Sequence, residues 1–349
     1  MWLENPIFRE DMKSIASADF IPWEELSGKT LFITGATGLI GFNLISALAY
    51  KNLEQKVPLK ILALVRDEAK ANERFAEIVS AGAPLTFIVG DLEHIPQVEE
   101  DIDFIIHGGS PTASRYFAEH PVETIRMNLA GATMLLEMAK EKRVESFLFL
   151  SSMEVYGSLH REEKVDENHE SFVNTMNPRS SYPEAKRMIE AMCASYAAEY
   201  NVPVKVIRLT QTFGAGVRKE DNRVYAQFMR SALAGEDIVL LTQGGTRHSY
   251  LYTADAVTAI LTVLLKGKNG EAYNAANEET YCSIREMANF VSSMENVKVL
   301  VSESSESNKL YPTELYMNLQ ADKLQKIGWR STRNLLEMFK RMISTFEQE

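Results

Sequence analysis

A chain of 349 residues with 45% hydrophobic content can bury one large α/β core, or two lobes that share one. Its formal net charge of -11, with no basic cluster to offset it, argues against a nucleic-acid backbone as partner. Cys193 and Cys282 lie too far apart for a disulfide framework or a zinc site of usual spacing, so no metal is expected and the thiols fit a reducing cytoplasm.

Residues 1–27 carry Glu4, Arg9, Glu10, Asp11 and Lys13 among apolar residues, the wrong pattern for a signal peptide. No apolar run reaches membrane-spanning length, so no membrane is expected and this stretch reads as an arm packed on the first strand. Leu31, Phe32 and Ile33 then form a short apolar run, as in a parallel strand covered on both faces. Gly35, Gly38 and Gly41 follow, opening a helix near Gly38. Glycines there permit a sharp turn and let backbone N–H groups and a helix N-terminus meet an anion, so the expected ligand is a dinucleotide pyrophosphate. The spacing G-x-x-G-x-x-G matches the mechanism of the usual G-x-G-x-x-G turn, though not its letters.

The run Lys60 to Val65 reads as the second strand and ends in Arg66-Asp67. An acid at that end accepts the adenosine ribose hydroxyls and favours NAD, whereas an arginine holds the 2′-phosphate of NADP, and here the two stand side by side. Asp67 to Ala81 looks helical. Leu85 to Val89 is a third strand, leading to Gly90, Asp91 and Leu92, which would lie beside the adenine. Phe104 to Ile106 is a fourth, running into His107, Gly108, Gly109, Ser110 and Pro111, whose small side chains leave room for a cofactor. His107 reads as a buried strand-end histidine rather than a catalyst.

Pro121 opens a helix through Lys140 with Ile125, Leu129, Met134, Leu135 and Met138 among its apolar positions. That is more apolar surface than one sheet face needs, so part of it is expected in a dimer interface. Phe147 to Leu150 is a fifth strand delivering Ser151 to Gly157 at its carboxyl end, where ligands bind in open α/β sheets. Ser158 to Pro178 reads as a solvated polar flap. Pro183 stands in the first turn of the next helix, on which Tyr182 and Lys186, four residues apart, share a face. Val204 to Leu209 is a sixth strand, and the alternation of strands and helices specifies an α/β fold with a doubly wound parallel sheet of the Rossmann type. The expected organisation is thus an arm (1–27), a dinucleotide-binding domain (28–209) and a smaller substrate lobe (210–349), some of whose segments return to the first domain.

Tyr182 and Lys186 suit proton abstraction from an alcohol. A nearby ammonium and a positive nicotinamide ring favour phenolate, lowering a pKa that is otherwise about 10, and a serine hydroxyl from the adjacent strand end can share the proton. With TGATGLIG at Thr34 to Gly41, GDL at Gly90 to Leu92, N-x-x-G at Asn128 to Gly131 and SSMEVYG at Ser151 to Gly157, the chain resembles the extended short-chain dehydrogenase/reductases. YPEAK at Tyr182 to Lys186, RLTQTFG at Arg208 to Gly214, Y-x-x-D at Tyr252 to Asp255 and IGW at Ile327 to Trp329 narrow the resemblance to the NAD-dependent epimerase/dehydratase family that modifies nucleotide sugars. The resemblance implies catalytic Ser152, Tyr182 and Lys186, with bound NAD, or NADP because of Arg66. It also implies cofactor contacts at Gly35, Thr37, Gly38, Leu39, Ile40, Gly41, Arg66, Asp91, Leu92, Gly109, Tyr182 and Lys186. A nucleoside-diphosphate sugar would sit in the C-terminal lobe, with a homodimer formed through the helices Pro121 to Lys140 and Tyr182 to Tyr200. Cell-surface polysaccharide synthesis is the pathway class the resemblance suggests.

Relatives begin by oxidising the sugar, usually at C4, and the residues after the catalytic hydroxyl decide the outcome. The 4,6-dehydratases carry Asp-Glu there, with the Asp as acid, whereas this chain has Met153 and Glu154. UDP-glucuronate decarboxylases carry a serine and then a glutamate, and they also resemble the chain at Ser110 to Ser114, which makes Glu154 the fourth candidate catalytic residue. Gln211 stands where many relatives have asparagine, His248 fills the slot of a phosphate-binding arginine with Arg247 just before it, and Met317 falls where the decarboxylase pattern has a further arginine. Ser110, Gln211, Arg218, Arg247 and His248 are therefore the candidate substrate contacts, with Arg223 a further possible replacement for the missing arginine. The sequence points to a decarboxylase-like lyase, with a 4-epimerase or 4-ketosugar reductase as the alternative. A 4,6-dehydratase fits less well, as does a cofactor-binding protein without activity.

Overall fold

The computed structural model describes residues 4–111, 114–302 and 314–346. Seven strands form one parallel sheet: β1 (Lys29–Thr34), β2 (Leu59–Val65), β3 (Leu85–Val89), β4 (Phe104–His107), β5 (Ser146–Ser152), β6 (Val204–Leu209) and β7 (Glu271–Ala275). Their spatial order is β7-β6-β5-β4-β1-β2-β3. The chain winds outward in one direction from β1 to β3, then crosses back to β4 and continues the other way. The reversal lies between β1 and β4, in register from Leu31 opposite Phe104 to Thr34 opposite His107. A crevice opens at the carboxyl ends of strands where such an order reverses.

The strands are apolar without interruption because both faces are covered. Leu31 and Ile33 pack into a core with α1 (Pro6–Ala16), α2 (Leu39–Gln55) and the helix Thr253–Lys266, whereas Phe32 between them packs into a second core on the opposite face. That second layer is built by α3 (Pro121–Lys142) and α4 (Ser181–Tyr200), which pack on one another. The arm contributes α1, which rests on α2 and on Thr253–Lys266, while its short turn Trp23–Leu26 meets β1.

Three expectations are refined. The helix read across Asp67 to Ala81 is two pieces, Glu68–Arg74 and Ala76–Ser80, broken at Phe75. Phe75 is buried against the rings of Phe42 and Phe87, so tertiary packing sets the break. The stretch 158–178 is not a solvated flap throughout, because Lys164–Val165 pairs in parallel with Tyr316–Leu319 and Val165 is buried. The strand Glu271–Ala275 returns from the C-terminal half to the edge of the main sheet beside β6. A lobe sheet is ordered Asn277–Ser283, Arg247–Tyr252, Tyr316–Leu319 and, from the first half of the chain, Lys164–Val165, with Gln211–Phe213 alongside Arg247–Tyr252, and Ile238–Leu240 pairs separately with Val299–Val301. Tyr252 of this sheet donates to Asp11 of α1, and Asp11 also pairs at 2.6 Å with Arg341 of the last helix, Leu335–Phe346.

Candidate active site

The glycine turn after β1 is shaped by close backbone approach. Gly35 has φ of +74°, and a Cβ there would come within 2.5 Å of the Gly108 carbonyl oxygen after β4. A Cβ on Gly41 would collide with the Gly35 carbonyl. Gly38 is the N-cap of α2 in an extended conformation, and no side chain caps the helix. The positive end of a long helix is thus left facing the crevice beside bare backbone, which is the chemistry a pyrophosphate needs.

The neighbouring strand ends complete the wall. Thr34 Oγ1 accepts from the Gly109 N–H at 3.0 Å and lies 2.8 Å from His107 Nδ1. His107 is fully buried, and burial together with the charge of Lys186 lowers its pKa to about 3, so it is a neutral structural ring. The N-x-x-G motif on α3 has a physical basis here. Asn128 Oδ1 accepts from Ser110 Oγ at 2.9 Å, and a Cβ on Gly131 would reach within 2.9 Å of the Leu92 side chain, so both residues fix the loops that border the cleft.

At the end of β5 the strand alternation separates two serines. Ser151 donates to Glu190 at 2.6 Å, and Glu190 pairs at 2.7 Å with Arg208. Ser152 favours the ionised form of the Tyr182 phenol, and its hydroxyl accepts the Glu154 N–H at 3.2 Å. Tyr182 is buried, with its ring stacked on Phe117 at 4.8 Å. Lys186, one helical turn on, donates to the Leu150 carbonyl at 2.9 Å and lies 5.7 Å from the Tyr182 ring centre.

The protein's own groups do not lower the phenol as the sequence reading expects. Burial, then the Glu154 carboxylate, push Tyr182 well above the ordinary tyrosine range, against the opposite pull of Ser152, Arg223 and Arg179. Burial also lowers Lys186 to about 7, so its positive charge is only partly retained at neutral pH. Met153 is buried, and its thioether accepts a hydrogen bond from Thr210 at 3.4 Å. Glu154 pairs at 3.2 Å with Arg179, whose guanidinium lies 4.2 Å above the Phe117 ring. Glu154, Arg179, Phe117 and Tyr182 thus form one connected set.

A single cleft of about 770 Å³ is lined by Gly35, Thr37, Gly38, Leu39, Ile40, Gly41, Arg66, Asp91, Leu92, Gly109, Ser110, Ser152, Glu154, Tyr182, Lys186 and Gln211. Arg218, Arg247 and His248 are not on this lining. Arg218 is exposed. Arg247 is engaged by Glu162 at 3.4 Å and Glu286 at 3.1 Å and lies over Tyr281, while His248 is buried in the lobe sheet in register with Met317. The two positions where the family pattern led us to look for arginines are therefore neighbours in that sheet. Among the described residues Arg223 lines the cleft, as Gln211 and Arg66 do, and Arg179 was not singled out by sequence reasoning at all. Thr112 and Ala113, within the motif beginning at Ser110, lie outside the described residues.

Comparison with known proteins agrees with this geometry. The model of the NAD dependent epimerase/dehydratase family matches residues 31–276. UDP-glucuronic acid decarboxylase 1 of Danio rerio is 27% identical, over 93% of this chain and 74% of its own length. dTDP-D-glucose 4,6-dehydratase of Homo sapiens is 28% identical, over 93% of this chain and 94% of its own. The solved UDP-glucose 4-epimerase of Thermotoga maritima has the same fold, with a TM-score of 0.76 at 18% identity, covering 91% of this chain and 99% of that one. These relatives carry three different reactions on one scaffold, and the chain belongs to the NAD-dependent epimerase/dehydratase family.

Proposed function

We propose that the chain oxidises a nucleoside-diphosphate sugar at C4 and directs the resulting ketone toward decarboxylation. One observation carries this reading. Beside Ser152, where a dehydratase needs an acid, the cleft has the buried thioether of Met153, which has no proton to give, followed by the Glu154 carboxylate.

The glycine turn and the start of α2 would hold the pyrophosphate of a nicotinamide dinucleotide, with Asp91 and Leu92 on the adenine side and Gly109, Tyr182 and Lys186 toward the nicotinamide. When bound, that cofactor supplies the acceptor and later the donor of hydride. Tyr182 takes the C4 hydroxyl proton, Ser152 favours the phenolate that forms, and Lys186, in its protonated form, stands one helical turn from it. A ketone at C4 makes a carboxylate on C5 a β-keto acid. Its C5–carboxylate bond breaks, carbon dioxide leaves, and the electron pair moves into the C4 carbonyl as an enolate. Glu154 orients the water that returns a proton to C5. Ser110, Gln211 and Arg223 line the substrate side, with Arg223 meeting the diphosphate or the carboxylate.

A second reading is a 4-ketosugar reductase, favoured by Arg66 on the cofactor wall because net reductions commonly draw on NADPH, or a 4-epimerase, which needs no carboxylate beside the catalytic serine. Product masses from the purified protein separate these readings. We expect carbon dioxide loss from UDP-glucuronate, with the return of the proton to C5 slowed in Glu154→Gln. Turnover only with added reduced cofactor identifies the reductase, an unchanged mass with altered retention the epimerase, and loss of water from a hexose contradicts the role given to Met153. Among the described residues no helix is long and apolar enough to cross a membrane.

A further inference from the structure

We propose that Arg179 is a positioning residue for this reaction, holding the Glu154 carboxylate at the cleft and balancing its charge against the Tyr182 phenol. The role rests on the reading that Tyr182 takes the sugar hydroxyl proton and Glu154 acts on the ketone that results. Those two groups make opposing demands on one small volume. Tyr182 must become an anion to accept the proton, and a carboxylate fixed beside it opposes that.

The local sequence sets Arg179 between them. Pro178–Ser180 is a short 3₁₀ turn directly before α4, capped by the Asn177 side chain, which accepts the Arg179 N–H at 3.0 Å. Ser180 Oγ donates to the Asn174 carbonyl at 2.7 Å, and Ser181 Oγ donates to the Phe117 carbonyl at 3.2 Å, so the turn is braced from two directions. From it the Arg179 guanidinium lies 4.2 Å over the Phe117 ring and meets Glu154 at 3.2 Å. Phe117 is buried and also stacks on Tyr182, so one aromatic ring sets the position of both side chains. Packing on a ring orients a planar guanidinium in a way that an ammonium on a flexible stem does not match.

Glu154 lines the cleft and Arg179 does not, so the guanidinium acts through the carboxylate rather than on substrate. Among the described residues Arg179 is the ion-pair partner of Glu154. The charged groups that act on the Tyr182 phenol are Glu154, which opposes its ionisation, and Arg223 and Arg179, which favour it, with Lys186 5.7 Å from the ring centre. Without Arg179 the Glu154 charge stands uncompensated beside the phenol, and the carboxylate loses the contact that aims it. The side chains of Arg179 and Glu154 are 41% and 28% exposed, so the pair adds little to folding and its effect falls on the reaction.

The test is single-turnover oxidation of UDP-glucuronate with NAD or NADP, read as reduced cofactor across pH with product masses alongside. The proteins compared are wild type, Arg179→Met, Arg179→Lys, Glu154→Gln and the double variant Arg179→Met, Glu154→Gln. Methionine keeps apolar cover on Phe117 and removes the charge, whereas lysine keeps the charge and loses the planar group. Arg179→Met should move the rising limb of oxidation to the alkaline side by about half a pH unit or more, opposite to Glu154→Gln, with an unchanged melting temperature. It should also slow the yield of decarboxylated sugar about fivefold, and by less than about twofold when Glu154 is already replaced. Arg179→Lys should bring the limb most of the way back. An unshifted limb in Arg179→Met, or the same loss in both backgrounds, overturns the positioning role and leaves the reading of Tyr182 and Glu154 intact. Oxidation by wild type without carbon dioxide loss overturns decarboxylation alone, since the limb still reports on Arg179. A wild type that oxidises no nucleoside-diphosphate sugar overturns both.

Discussion

Burial and the Glu154 carboxylate raise the Tyr182 phenol, while Ser152, Arg223 and Arg179 draw it down. Removing the Glu154 charge therefore lowers the phenol pKa, and phenolate appears at lower pH. In a pH profile of single-turnover alcohol oxidation, the rising limb of Glu154→Gln should shift to the acid side of wild type. Tyr182→Phe should lose about 10² to 10⁴ of the rate, the range of general acid–base catalysis. Lys186 gives a stability counterpart. Its folded pKa of about 7 lies below the ordinary lysine value of 10.5, so between those limits the unfolded chain binds more protons and stability rises with pH. Lys186→Met lacks that titration, and its melting temperature should exceed wild type most below pH 7, with the gain shrinking toward pH 10.5. The Tyr182, Lys186 and Ser152 set is legible in sequence because one helical turn and one strand end bring it together locally. Arg179 is not, since its partners Glu154 and Phe117 come from other parts of the chain. Arg247 misleads for the same reason, because Glu162 and Glu286 claim it from remote segments.

The helices α3 and α4 cover one sheet face with their buried sides and leave apolar side chains outside. Val122 is 69% exposed and Met188 53%, with Ile125 and Tyr200 also open to solvent on the same helix pair. An exposed apolar surface on two packed helices fits a second copy of the chain, as the excess of apolar positions on α3 suggests from sequence alone. Light scattering should report a dimer for the wild type and a monomer for the double variant Ile125→Glu, Met188→Glu, with the far-ultraviolet spectrum unchanged. A wild-type monomer would contradict this. Element positions in the first 209 residues are readable because each strand is a short apolar run between turn signals. The lobe is less readable, since Lys164–Val165 and Tyr316–Leu319 are short strands whose pairing spans more than a hundred residues and leaves no local pattern.

Across the whole molecule, the first and last described helices are tied together. Asp11 from α1, Tyr252 from the lobe sheet and Arg341 from the last helix meet in a buried cluster, and Asn5 donates to the Ser344 carbonyl at 3.0 Å. Burial pushes Asp11 above its usual range against the pull of Arg341, so the guanidinium is what makes a charge there tolerable. Arg341→Ala should cost about 3–5 kcal/mol in denaturant unfolding, as when one member of a buried ion pair is removed, and a loss below about 1 kcal/mol would show the cluster to be dispensable. None of Asp11, Tyr252 and Arg341 lines the cleft, so kcat per folded molecule should hold.

The central claim is that Tyr182 moves a proton at a sugar carbon while Glu154 steers the outcome. The measurement that tests it most directly is mass analysis of nucleoside-diphosphate sugars incubated with wild type, Tyr182→Phe and Glu154→Gln. The account predicts loss of carbon dioxide from UDP-glucuronate with wild type, an unchanged substrate with Tyr182→Phe, and a slowed yield of the decarboxylated sugar in Glu154→Gln, because the proton returns to C5 more slowly. Full conversion by Tyr182→Phe, or loss of water from a hexose by wild type, would contradict it.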